Sequence, residues 1–292
     1  MAAAARDRWA EWLAERRFGG DAAVRSEMLA RLAETRDRVL DRAGLREGET
    51  LLDVGCGEGL IGFGALERGA GTVIFSDVST DLLDFCREAA TELGVLDRCR
   101  FVEAPAEDLS VIEDESVDVV TTRSVLIYVH EKAAAFREFA RVLQSGGRIS
   151  LSEPINRFGS AERWHGRFAG YRLDGLDEIG AKLFAVLDSL QPGDTDPMLD
   201  FDERDLVRLA EEAGFFPIVL RLKAVIEPAT PRSWDAFLDT AGNPNIPTLR
   251  EAMEQVLTPG ERERLTAQLR PLVERGEGEW RIAFAHLAAT RP

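Results

Sequence analysis

The chain has 292 residues, of which 36 are basic and 52 acidic, so its formal net charge is −16. This length suffices for one α/β domain with insertions, and a negative surface repels phosphate backbones, which disfavours nucleic acid as a partner. Three cysteines without metal or redox spacing indicate a reducing compartment, and no apolar run approaches the ~20 residues of a membrane span. We therefore expect a cytoplasmic protein without a membrane or nucleic-acid partner.

Two helices are predicted before the first strand. Residues 6–17 place apolar side chains, among them Trp12, at helical spacing, and a longer amphipathic helix runs to Ala43. Since they precede the first strand, these helices belong to no βαβ unit. They either extend the core or form a lid over a binding site.

A glycine-rich turn follows the first predicted strand. Leu51 to Val54 is a short apolar run with one acid, as expected of a buried parallel strand, and a helix is predicted from Leu60. Strand, glycine turn and helix together present backbone N–H groups and a positive helix end to a ligand, with no Cβ in the way. The ligand contacts predicted here are Asp53, Gly55, Cys56, Gly57 and Gly59.

A second predicted strand, Thr72–Asp77, also ends in an acid. Asp77 follows the turn by about 20 residues, the distance at which an acid meets ribose hydroxyls in nucleotide-binding folds. A carboxylate suits these hydroxyls because it accepts two hydrogen bonds in a fixed geometry. The alternative is a helix cap, but Ser79 or Thr80 can fill that role. Asp77 and the following Val78 are therefore predicted to contact the ligand.

Another motif distinguishes two classes of nucleotide-binding protein. The first turn fits the dinucleotide pattern of oxidoreductases, yet it also reads Gly55-x-Gly57-x-Gly59 after a strand acid. At 143–147 a leucine, a short turn and paired glycines precede a fifth strand, a spacing that oxidoreductases have no reason to repeat. Over residues 45–155 the chain thus resembles the class I S-adenosylmethionine-dependent methyltransferases. The resemblance implies S-adenosylmethionine as the cofactor.

The resemblance also implies contacts to the adenine ring. Related methyltransferases often carry an acid–alanine pair after the third strand, and this chain departs from that pattern because Pro105 stands where the acid is commonest. The adenine candidates by position are the next two residues, and two residues around the end of the fourth strand are further candidates for cofactor contacts. The cofactor contacts predicted on this side are Ala106, Glu107, Arg123 and Ser124.

The order of the elements predicts an α/β, Rossmann-like fold. Its seven-stranded sheet is expected to be mostly parallel with the last strand antiparallel, with helices on both faces and helical insertions. The predicted segments are an N-terminal helical cap at 1–44, a cofactor-binding core at 45–154, a substrate-side insertion at 155–200, a core helix and strand at 201–227, a second helical insertion at 228–278, and the last core strand at 279–292.

The two insertions are rich in aromatic residues. They follow strands five and six, where this methyltransferase class builds acceptor pockets, so we expect residues 155–200 and 228–278 to cover the acceptor side. An exposed apolar pocket would explain the aromatic side chains, whereas packing or a homodimer surface is the alternative. The residues in question are Phe158, Trp164, Phe168, Tyr171, Trp234 and Phe237.

Four side chains are candidates for a catalytic base. A base is needed only if the acceptor must lose a proton. His165, among aromatics in the first insertion, is the first choice. Glu153 and Tyr128 stand at the ends of core strand segments, and His130 precedes a helix that it could cap instead. His286 lies in the apolar alternation of the last strand, so we expect it to be structural.

Motifs that the sequence lacks limit the types of methyl transfer that we expect. No Pro-Pro-aromatic motif follows strand four, which disfavours methylation of amide or base-ring nitrogens, and no acids stand there to hold magnesium. No cysteine triplet is spaced for an iron–sulfur cluster, so no metal is expected. We predict methyl transfer to a small organic acceptor, in secondary or quinone-like metabolism. A non-catalytic S-adenosylmethionine-binding protein and a nicotinamide-dependent oxidoreductase stay open as alternatives.

Overall fold

The computed structural model describes residues 6–19, 22–160, 166–193 and 195–292. The helices are α1 Arg8–Glu11, α2 Ala22–Ala43, α3 Leu60–Glu67, α4 Thr80–Glu92, α5 Lys132–Val142, α6 Asn156–Ser160, α7 Asp177–Leu190, α8 Glu203–Glu212, α9 Trp234–Leu238, α10 Leu249–Val256 and α11 Pro259–Arg275. The strands are β1 Thr50–Val54, β2 Thr72–Asp77, β3 Cys99–Glu103, β4 Val117–Arg123, β5 Leu143–Pro154, β6 Arg167–Phe168, β7 Tyr171–Arg172, β8 Ile218–Pro228 and β9 Glu279–Thr290.

Seven strands form one sheet in the order β3-β2-β1-β4-β5-β9-β8. β1 to β5 pair in parallel, and β9 pairs antiparallel to β5. The predicted mostly parallel sheet with an antiparallel last strand is confirmed. The chain runs outward from β1 to β3 and then crosses to β4 on the other side of β1. The carboxyl ends of β1 and β4 therefore flank the crevice in which open α/β sheets bind their ligands.

The chain divides into two compact units. The core unit comprises Ala30–Ile155, Phe201–Lys223 and Phe284–Pro292, and it contains β1 to β5. The helical unit comprises the described residues of Met1–Leu29, Asn156–Asp200 and Ala224–Ala283.

The second half of α2 is part of the core unit. Val39 and Leu40 are almost completely buried, in one cluster with Leu51 of β1. Ser150 of β5 donates a hydrogen bond from its hydroxyl to the Val39 carbonyl at 2.8 Å. Since its apolar side chains and a carbonyl are engaged there, this part of α2 extends the core, one of the two roles predicted for it.

The helical unit has its own hydrophobic core, built from β6, β7, α7 and α9 to α11. Tyr171 contacts Phe237 edge-on with ring centroids 5.5 Å apart, and Trp234 stacks on Phe237 at 5.6 Å. Trp12, in a π-helical turn after α1, is buried and donates to the Ala241 carbonyl at 2.9 Å.

The prediction of an exposed aromatic pocket is wrong for four of the six aromatics. Phe168, Tyr171, Trp234 and Phe237 are all buried in the core of the helical unit, and Phe158 is partly buried. Trp164 lies outside the described residues. The physical reason is that the helices of this unit need apolar faces to pack on one another, and its aromatics supply them.

The fifth strand begins earlier than predicted. Leu143 already pairs with Val117, and the next pair in register is Val119 with Arg148, so residues 144–147 form a bulge opposite a single residue. Gly146, with φ of 78°, donates its N–H to the Arg291 carbonyl at 2.8 Å. The chain after β9 thus satisfies the backbone of the predicted turn, which is why this segment continues the strand.

Candidate active site

Three glycines in the left-handed region form the turn between β1 and α3. Gly55, Gly57 and Gly59 have φ of 61°, 54° and 79°, values that other residues adopt only at a cost. A Cβ on Gly55 would lie 2.5 Å from Cγ2 of Val125, in the loop after β4. The two loops therefore approach so closely that only glycine fits at position 55.

Asp77, at the end of β2, is hydrogen-bonded to this turn. Its Oδ2 accepts the Gly57 N–H at 2.9 Å, and its Oδ1 accepts the Ser79 N–H at 3.0 Å. Ser79 itself caps α4 by accepting the Leu82 N–H at 3.1 Å, as predicted. The predicted ribose-binding carboxylate is thus fixed in position by backbone donors on both sides.

Asp53 lies behind the turn rather than on its exposed side. Its Oδ2 accepts the Gly62 N–H at 3.0 Å and its Oδ1 accepts the Thr121 hydroxyl at 3.2 Å. A Cβ on Gly62 would lie 2.3 Å from the ring of Phe75, so the first turn of α3 packs tightly on β2. Burial raises the pKa of Asp53 to about 7 against the effect of these hydrogen bonds. Asp53 therefore anchors α3 to the sheet, and a direct cofactor contact stays a prediction.

The loop after β3 lies beside Asp77. The Ala104 N–H donates to the Asp77 carbonyl at 3.1 Å, and the following turn is closed by a bond from Asp108 N–H to the Pro105 carbonyl at 3.2 Å. Ala106 in this turn is buried and Glu107 is partly buried, while Val78 is 48% exposed. An exposed valine beside a fixed loop offers the apolar surface that a flat ring requires.

Glu153 holds the loop that follows β4. Its carboxylate accepts the Thr122 hydroxyl at 2.6 Å and the N–H groups of Val125 and Leu126, each at 3.0 Å. Ser124, between these donors, has φ of 58°, and its N–H donates to the Ser152 carbonyl at 2.9 Å. Glu153 is fully buried, and burial raises its pKa to about 7. These bonds hold the loop after β4 in place, and a catalytic role for Glu153 stays a prediction.

Arg123 brings a positive charge to the same region. It ends β4, is partly buried and lies within electrostatic range of Asp53 and Glu153, which counteract the lowering of its pKa by burial. Arg123 in turn lowers the pKa of both carboxyls, against the larger effect of their burial.

Two comparisons of sequence agree with this arrangement. The family model described as a methyltransferase domain matches residues 52–151. The ubiquinone/menaquinone biosynthesis C-methyltransferase UbiE of Citrobacter koseri is 30% identical over 181 residues, which cover 60% of this chain and 70% of that protein. The chain belongs to the class I S-adenosylmethionine-dependent methyltransferases. The methyltransferase uses S-adenosylmethionine and acts on a small molecule, rather than being an oxidoreductase or a binding protein without turnover.

Solved structures share the fold of the methyltransferase. Geranyl diphosphate C-methyltransferase of Streptomyces coelicolor A3(2), solved with S-adenosylhomocysteine, aligns with a TM-score of 0.51 and 18% identity over 89% of this chain and 76% of that chain. The cyclase SpnF aligns with a TM-score of 0.52 and 20% identity over 89% and 80%. Since a cyclase shares the fold, fold alone does not fix the reaction, and family membership rests on the sequence similarity.

The site of the methyltransferase fits its cofactor. We expect the turn at Gly55 and Gly57 to leave space for the methionine portion, the Asp77 carboxylate to bind the ribose, and the exposed Val78 to contact the adenine. When bound, S-adenosylmethionine supplies a methyl group already activated by its sulfonium. The chain must then bind the acceptor in line with that methyl and hold any proton that the acceptor loses.

The catalytic candidates of the methyltransferase lie in different surroundings. Tyr128 ends a short 3-10 helix, is partly buried and lies within electrostatic range of Arg123. His130 is exposed, and the N-cap position of α5 belongs to Glu131 instead, so the predicted capping role is wrong. His165 lies outside the described residues.

Two threonines of the site were missed in the sequence. Thr121 and Thr122 donate their hydroxyls to Asp53 and Glu153, the two buried acids. The available signal was a pair of polar residues at the end of an otherwise apolar strand, Val117–Arg123.

The described residues contain no group of three or more His, Cys, Asp or Glu side chains able to hold a metal ion. No helix in the described part of the chain is long and apolar enough to cross a membrane.

Proposed function

We propose that this methyltransferase methylates a carbon atom of a small, quinol-like aromatic acceptor in secondary or quinone-like metabolism. The observation that carries the proposal is the 30% identity, over 181 residues, to a C-methyltransferase of ubiquinone and menaquinone biosynthesis. The chain covers 70% of that relative, so the similarity reaches well beyond the glycine turn.

The charges at the carboxyl ends of the strands support this acceptor class. A ring carbon becomes nucleophilic when a neighbouring hydroxyl loses its proton, and a nearby cation favours the resulting anion. Arg123 supplies such a cation. Because burial raises the pKa of Asp53 and of Glu153 to about 7, much of the negative charge that would repel an anionic acceptor is neutralised near neutral pH.

An acceptor that must lose a proton needs a base. We propose His165 as the base, with Tyr128 or His130 as the alternative, and rank Glu153 below them because its oxygens are buried and hydrogen-bonded within the protein. The substrate-side role of residues 155–200 and 228–278 stays a prediction.

Partners and location complete the proposal. The net charge of −16 supports a small acceptor over nucleic acid. The structure has free thiols at Cys56, Cys86 and Cys99, which supports a location in the reducing cytoplasm. A homodimer stays a prediction.

The test is product analysis with S-adenosylmethionine carrying an isotope-labelled methyl group. Demethylated benzoquinols and naphthoquinols, each with and without an isoprenoid tail, serve as acceptors, and NMR locates the labelled methyl. We expect a new carbon–carbon bond on the ring. A label found on oxygen or nitrogen, with every quinol carbon unlabelled, would overturn the proposal, and Asp77→Asn serves as the cofactor-deficient control.

A further inference from the structure

A group of basic side chains lies on the core unit, on α2, β8 and β9. Arg38 and Arg42 come from α2, Arg221 and Lys223 from β8, and His286 from β9. Together they form what we call the basic cluster. This concentration of positive charge contrasts with the net charge of −16 of the whole chain.

The pairing of β5 and β9 shows which way His286 points. His286 is directly opposite Ser152, and Ser150, two residues earlier on β5, donates its hydroxyl to the Val39 carbonyl of α2. Side chains two apart on a strand share a face, so Ser152 and His286 lie on the face that α2 covers. Arg38 and Arg42 flank Val39 on that helix at positions one turn apart.

Several polar atoms in this region lack partners. His286 is only 4% exposed, yet neither of its ring nitrogens has a hydrogen-bond partner among the described residues. The same holds for a buried guanidinium nitrogen of Arg42 and for the Ser152 hydroxyl. Buried polar groups are almost always hydrogen-bonded, because leaving one unpaired costs the free energy of its desolvation.

The charges of the basic cluster are also poorly compensated. Arg38 pairs with Glu34 on its own helix at 3.3 Å, and no other ion pair of the cluster is formed within the described ranges. Burial and the charges of Arg42, Arg38 and Lys223 lower the pKa of His286 to about 4, and burial, Arg221 and Arg38 lower that of Arg42. Within the described residues, the positive charges of the basic cluster are therefore balanced only at Arg38, by Glu34.

We propose that the basic cluster binds the phosphoryl group of a soluble metabolite at a second site, distinct from the cofactor site. A phosphoryl dianion fits because it offers several acceptor oxygens to arginine forks and carries more charge than a carboxylate. A free metabolite fits better than a lipid surface, because a flat layer of headgroups does not reach an imidazole that is almost completely buried. The quinol-like acceptor proposed above carries no phosphate, so the two proposals stand independently.

The test is calorimetric titration of the full chain with inorganic pyrophosphate, in the presence of saturating S-adenosylhomocysteine to occupy the glycine turn. We expect Arg42→Gln to weaken binding by about 10-fold or more, since a charge-assisted hydrogen bond is lost. Lys223→Gln, on the exposed edge strand, should weaken it without affecting folding. Arg137→Gln, an exposed arginine on α5, is the matched control and should bind as the wild type does.

NMR of the His286 ring is an independent test of anion binding to the basic cluster. Its signals, assigned by their loss in His286→Gln, should shift on titration, and the pKa of His286 should rise when the anion is bound. Equal pyrophosphate affinity in wild type and Arg42→Gln, or unmoved His286 signals, would overturn the proposal. Binding to vesicles of anionic phospholipid without binding of pyrophosphate would overturn it as well.

Discussion

The Oδ2 atom of Asp77 accepts the N–H of Gly57 at 2.9 Å, across 20 residues of sequence. This bond joins the strand-end acid to the glycine turn, so that the parts of the site proposed to bind the ribose and the methionine portion are fixed relative to each other. Each of the two features predicts the cofactor separately, and their hydrogen bond makes them one site.

Replacing Asp77 tests this joint role. Asp77→Asn should weaken the affinity for S-adenosylhomocysteine by at least 10-fold, because one charge-assisted hydrogen bond contributes roughly 1.5–3 kcal/mol. Calorimetry measures the affinity. Asp97→Asn, an exposed acid before β3, should leave it unchanged. Equal affinity in the Asp77 variant and the wild type would remove Asp77 from the site.

The close approach of Gly55 and Val125 predicts a steric effect. Gly55→Ala should lower the free energy of unfolding by more than the ~1–2 kcal/mol cost of a left-handed backbone, because the new Cβ meets Val125 as well. Gly94→Ala is the matched control, since Gly94 has φ of 68° and a Cβ added there would meet no atom within 4 Å. The double variant Gly55→Ala/Val125→Ala should recover only that part of the lost free energy of unfolding that comes from the clash with Val125. Urea unfolding decides the comparison, and equal losses for both glycines would contradict it.

Glu153 predicts a pH dependence of stability. Its pKa is raised from the ordinary value of 4.5 to about 7 in the folded state. The folded protein therefore holds a proton that the unfolded chain has released, and this stabilisation is complete below pH 4.5 and is lost as the pH rises through about 7. Relative to Glu153→Gln, the wild type should lose up to about 1.4 kcal/mol per pH unit within that window.

Urea unfolding of both proteins at several values between pH 5 and pH 8 measures this difference. The comparison with the variant removes the opposite contribution of His286, whose pKa is lowered to about 4. Parallel stability curves for the two proteins would show that Glu153 does not titrate in this range.

Substitution of Phe237 tests whether this aromatic side chain is structural or binds the substrate. Because it is buried against Tyr171 and Trp234, Phe237→Ala should lower the free energy of unfolding by ~3–5 kcal/mol. Phe216→Ala, with a side chain 76% exposed, should change it by no more than about 0.5 kcal/mol. A Phe237 variant of normal stability with a raised KM would return this residue to the acceptor site.

The catalytic base is tested by two variants. His165→Ala should lower kcat by ~10²–10⁴ and leave the affinity for S-adenosylhomocysteine intact, as expected for loss of a base. Tyr128→Phe, which removes only a hydroxyl, is the parallel variant for the alternative base. If His165→Ala turns over within a few-fold of the wild type, then Tyr128, His130 or alignment of the acceptor alone accounts for the rate.

The sequence by itself determined the features that depend on neighbouring residues. The glycine turn, the acid near the end of β1, the acid that ends β2 and the cap at Ser79 were predicted and are observed as elements of the structure. These signals can be read locally because left-handed backbone and helix caps involve residues within about four positions of each other.

Only the tertiary structure decided which buried polar groups meet. Thr122 and Glu153 are 31 residues apart, and Ser152 and His286 are opposed only through the register of β5 with β9. The pairing of β4 with β5 places the Glu153 carboxylate beside the donors of the loop after β4, and the register of β5 with β9 places His286 in the basic cluster. Composition cannot reveal it, because the same residues become accessible or buried according to which strands pair and what packs over them.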